Sequence, residues 1–112
     1  MDNQLDDTAL LRRQRTFIDE IERSIRSANR EILHERIPEL NQESFVRMAH
    51  HVARLRASYL EAALGSEQDP PPADWVRRLR EQREAYEEAR EAFDALQRAI
   101  ERGYVDIGLR EG

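Results

Sequence analysis

No cysteine occurs anywhere in this sequence. Disulfides, thiolate metal sites and cysteine nucleophiles are thereby excluded. Glycine is nearly as scarce: there are four, and three of them fall in the last ten residues. A phosphate-cradling loop needs glycines closely spaced ahead of a helix, and Gly65 stands alone. The serines (Ser24, Ser27, Ser44, Ser58 and Ser66) lack the glycine-bearing elbow of a serine hydrolase. No apolar run approaches the length of a membrane span. The first seven residues are acidic and polar rather than a secretory signal. Lysine is missing too, so all 18 basic residues are arginine. A GC-rich genome accounts for that bias. A bacterial cytoplasmic protein with no membrane partner is the expectation.

What remains is charge and helix-forming residues. Charged residues make up 37% of the 112-residue chain and hydrophobic residues 39%, with a net charge of -5. Alanine, glutamate, leucine and arginine together make about half the sequence, a composition typical of long helices and coiled coils. One domain spanning residues 1–112 is expected. The predicted fold is all-α: a three-helix antiparallel bundle with coiled-coil-like packing and a short extended C-terminal tail. Its helices should cover about residues 8–36, 42–64 and 73–102, with the tail at 103–112.

The first helix carries Leu11, Ile18, Ile21, Ile25, Ala28 and Ile32 at spacings of three, four and seven, which places them on one face. Gln14 interrupts this stripe. Pro38 disfavours helix at Ile37 and should end the element near Arg36. In the second helix, Asn41 is a suitable N-cap, and Leu40 and Phe45 occupy the positions of a hydrophobic staple. Its stripe is Phe45, Met48, Val52, Leu55, Tyr59 and Ala62. Further apolar residues widen it, so this helix should be central and covered on two sides. Gly65 is a natural C′ residue. Pro70, Pro71 and Pro72 make a stiff linker, and Pro72 suits the first helical position. The third helix has the stripe Leu79, Gln82, Tyr86, Ala89, Phe93, Leu96 and Ile100, with Ala85, Ala92 and Ala99 repeating beside it every seven residues. Gln14 and Gln82 are expected to meet in the core or to set register. After Gly103 the tail alternates, and Val105, Ile107 and Leu109 would share one side of an extended segment.

Three constellations could carry chemistry. Glu31 and His34 have the Glu-x-x-His spacing that ferritin-like di-iron bundles use. If the first two helices fold back about Pro38, His50 and His51 fall near them, and the four could hold iron or zinc. Only one such pair is present, however, and no cofactor is the primary expectation. His50, followed by Arg54, has the mid-helix position of a phosphotransfer histidine, but no glycine stands close by. Arg77, Arg78 and Arg80 make a basic cluster of the kind that contacts phosphate. The acidic balance and an aromatic content of 6% argue against nucleic acid. No catalytic residue is identified.

The functional expectation is therefore a non-catalytic interaction, adaptor or regulatory subunit. Its thin core favours a homodimer or a larger protein partner. The partner-facing residues would be Tyr104, Val105, Ile107 and Leu109 of the tail and Arg77, Arg78 and Arg80 of the third helix.

Overall fold

The computed structural model describes residues 3–107, with side chains from residue 7 onward. Three helices make it up: α1 (Asn3–Arg36), α2 (Gln42–Leu64) and α3 (Ala73–Glu101). No strand occurs among the described residues, and no helix there is long and apolar enough to cross a membrane. The bounds of α2 and α3 fall within one residue of those read from the sequence. α1 begins five residues earlier than expected, at Asn3.

Local chemistry explains each remaining boundary. Asn41 is extended (φ -143, ψ -176) and caps α2. Its Oδ1 accepts from the Ser44 backbone N–H at 2.9 Å, while Ser44 Oγ accepts from the Asn41 N–H at 3.0 Å. That reciprocal pair is a capping box, with serine in place of the usual glutamate. Gly65 ends α2 in a right-handed conformation (φ -83, ψ -5). It is not the left-handed C′ residue expected, so the turn needs no positive φ there. Pro72 is the N-cap of α3 rather than its first helical residue. At the other end Gly103 does take φ +77. The Tyr104 N–H donates to the Ala99 carbonyl at 2.8 Å and the Gly103 N–H to that of Ile100 at 3.0 Å. These two bonds form a Schellman motif, which needs a left-handed residue at this position.

α2 and α3 pack as an antiparallel hairpin. Phe45, at the start of α2, meets Phe93, late in α3, with ring centroids 5.0 Å apart. Farther along, Tyr59 stacks on Tyr86 at 6.1 Å. At the turn, Trp75 Nε1 donates to the Ala62 carbonyl at 2.8 Å. The α2 and α3 stripes read from the sequence are the faces that meet, and Val52 is buried at their centre.

α1 does not lie against this hairpin. Among the described residues, no Cα of α1 comes within 8 Å of one in α2 or α3. The expectation that α2 is covered on two sides is therefore corrected. Its second apolar side, including Val46, Leu60 and Leu64, faces outward. The antiparallel fold of α1 on α2 about Pro38 is likewise absent, because α1 leaves the junction in another direction. At 1.5 Å per residue α1 is about 51 Å long and α3 about 43 Å. Overall extents of 79 × 46 × 19 Å require that the two diverge. The radius of gyration is 23.2 Å, against roughly 13 Å for a compact domain of this length.

Candidate functional site

The apolar stripe of α1 is the principal uncovered feature. Leu11, Ile18, Ile21, Ile25 and Ile32 are between 40% and 64% exposed. Phe17 and Leu10, beside the stripe, are exposed as well. A helix so patterned gains most of its stability from packing that face, since an isolated helix is marginal in water. An apolar band of this length is rarely left bare on a small monomeric protein.

The opposite face of α1 is occupied by the chain's own tail. Arg26 Nε donates to the Arg102 carbonyl at 3.4 Å, and an Arg30 guanidinium nitrogen donates to the Gly103 carbonyl at 3.2 Å. Arg30 also lies 3.9 Å from the Asp106 carboxylate. His34 Nε2 accepts from the Asp106 backbone N–H at 3.4 Å. With Leu11, Ile18, Ile25 and Ile32 at heptad position a, Arg26, Arg30 and His34 fall at b, f and c. Those are the three outer positions of a coiled coil, turned away from the seam. The tail thus anchors α1 to the hairpin without covering any of its apolar face.

This geometry relocates the tail residues. Val105 is 7% exposed and Leu40 8%, which makes both part of the small core at the junction. Tyr104 and Ile107 are half-buried, and Asp106 between them is exposed. Val105 is packed within the chain, while Tyr104 and Ile107 keep part of their surface open. Leu109 lies outside the described residues.

The metal constellation is not assembled. Glu31 and His34 sit on α1, His50 and His51 on α2, and these two helices do not touch. Among the described residues, no group of three or more histidine, aspartate or glutamate side chains is arranged to hold a metal ion. Gln14 and Gln82 likewise do not meet within one chain, since α1 and α3 are apart.

Arg77, Arg78 and Arg80 are exposed on α3. Arg78 reaches Asp74 one turn earlier, at 3.8 Å. It also lines an open groove of about 500 Å³ at the hairpin turn, together with Ser58, Glu61, Trp75, Glu81 and Gln82. Two acidic side chains in that wall offset the arginine, so the groove is mixed in charge. The arginines with defined aromatic contacts are others: Arg56 donates to the Tyr86 hydroxyl at 3.3 Å, and Arg56 and Arg90 both lie over the Tyr86 ring. Sequence reasoning overlooked these two, and their spacing from Tyr86 on α3 (four residues for Arg90) was the available signal for one of them. No protein-family model, curated protein or solved structure matches this chain.

Proposed function

We infer that this protein is a non-catalytic interaction subunit, with the α2–α3 hairpin as its folded base and α1 as its binding element. The observation that carries this reading is the bare stripe from Leu11 to Ile32 on a helix that its own hairpin never covers. Surface area supports it. A compact monomer of 13.2 kDa exposes roughly 6,400 Å², whereas this chain exposes 9194 Å². The difference far exceeds the ~800 Å² that one partner loses in a standard interface.

The test is native mass by light scattering, with pull-down of cellular proteins on the same sample, for the wild type and for an Ile18→Asp/Ile25→Asp variant. The reading expects an association, with itself or with another protein, that this double substitution removes. A wild-type chain that associates with nothing contradicts it, as does one whose associations ignore both substitutions.

A further inference from the structure

The geometry points to a second copy of this chain as the occupant of the α1 stripe, paired in parallel and in register over residues 11–32. This rests on the reading of α1 as the binding element and specifies its partner.

The heptad assignment is the starting point. Leu11, Ile18, Ile25 and Ile32 are seven residues apart and take position a. Gln14, Ile21 and Ala28 take position d. Isoleucine at a suits a parallel two-stranded coiled coil, and a single polar core residue fixes register. The seam is three heptads long, about 33 Å. It is bounded by charge, since Asp7 and Glu35 occupy the d positions just before and just after it.

Charge decides the orientation. In the parallel arrangement each g residue faces the e residue five positions later in the other chain. Glu31 then meets Arg36 of the second copy, an attractive pair formed twice. The remaining g–e pairs (Leu10–Arg15, Phe17–Glu22, Ser24–Asn29) contain no like charges, and the like-charged d pairs, Asp7–Asp7 and Glu35–Glu35, fall outside the seam at its open ends. Gln14 faces Gln14, and one amide can donate to the other.

Antiparallel alignments are worse. The one that best matches isoleucines, setting Ile25 against Ile21, brings Glu22 onto Glu22 and places Leu11 against Glu35. Sliding by one heptad relieves Glu22 but sets Ile25 against Gln14 and Ile32 against Asp7. Each leaves a buried polar group without a suitable partner, which is costly.

Accessibility is also satisfied. The tail contacts made by Arg26, Arg30 and His34 lie on the far side of α1. Two copies can therefore join along the stripe with their own tails still in place.

The native chain has no cysteine, so single substitutions give unambiguous cross-links. Leu11→Cys and Ala28→Cys each face their own equivalent in the parallel dimer and lie far from it in either antiparallel alignment. On mild oxidation each variant alone should form a disulfide-linked dimer, and mixing the two should give no Leu11→Cys/Ala28→Cys heterodimer. Light scattering of the unsubstituted chain at roughly 100 μM, enough to populate a micromolar complex, should give twice 13.2 kDa. Ile18→Asp/Ile25→Asp should return it to the monomer while Trp75 fluorescence still reports a folded hairpin.

A wild-type monomer at that concentration overturns the self-pairing. So does a trimer, or a failure of both single variants to cross-link. If such a monomer still captures another protein through α1, only the self-pairing falls. If a dimer forms but survives Ile18→Asp/Ile25→Asp, the reading of α1 falls with it.

Discussion

Trp75 and Ala62 join the two helices of the hairpin at its turn: the indole N–H donates to the Ala62 carbonyl at 2.8 Å. That carbonyl lies in the last turn of α2, where backbone acceptors lose their intrahelical donors. It also receives the Gly65 N–H at 3.2 Å, so both of its lone pairs are engaged. Trp75→Phe keeps an aromatic ring but removes the donor. The expected loss is about 1 kcal/mol of hairpin stability, read from urea unfolding followed by far-UV circular dichroism.

The Phe45–Phe93 contact closes the other end of the hairpin, with planes inclined at 54°. Both rings are half-buried. Either alanine substitution should cost about 2 kcal/mol, less than the 3–5 kcal/mol typical of fully buried rings. In a double-mutant cycle the two should couple by about 0.5–1.5 kcal/mol. Strict additivity would show that the rings do not touch in solution.

Gly103 is the point at which a side chain is least tolerated. Its φ of +77 is left-handed, and an added Cβ would stand 3.1 Å from Arg26 Cδ. Gly103→Ala should cost about 1–2 kcal/mol. It should also speed hydrogen exchange at the Tyr104 amide, whose bond to Ala99 depends on that turn. By contrast Gly65→Ala needs no unusual φ and should cost less, despite a Cβ approach of 3.2 Å to the Glu61 carbonyl.

Val105 holds the tail at the junction. Val105→Ala removes two methyl groups from a 7% exposed site and should cost about 1–2 kcal/mol. Arg30→Ala, which removes an exposed ion pair and one hydrogen bond to the tail, should cost less than about 1 kcal/mol. A larger loss at Arg30 than at Val105 would mean that the tail is held by charge rather than by burial.

Helix identity and most boundaries were legible in the sequence because they rest on local chemistry. Asn41 and Pro72 mark the starts of α2 and α3, Gly103 the end of α3, and the stripes through Val52 and Phe93 name the faces that meet. What periodicity leaves open is which stripe pairs with which. Ile18 and Ile25 have the same spacing whether α1 folds onto α2 or turns away from it, and that angle is set at the junction around Leu40 and Val105. The same gap applies to the metal reading, since Glu31 and His34 meet His50 and His51 only if α1 folds back. The tail contacts of Arg26 and Arg30 were illegible for a further reason. They go to backbone carbonyls, which carry no sequence signature.

Amide hydrogen exchange along α1 tests the central claim most directly. If Leu11 to Ile32 is an interface, amides of residues 11–25 should be strongly protected in the concentrated wild type. That protection should fall on dilution and disappear in Ile18→Asp/Ile25→Asp, while Val52 and its neighbours in α2 keep theirs. Rapid exchange throughout residues 11–25 at every concentration, unchanged by the double substitution, would contradict the account.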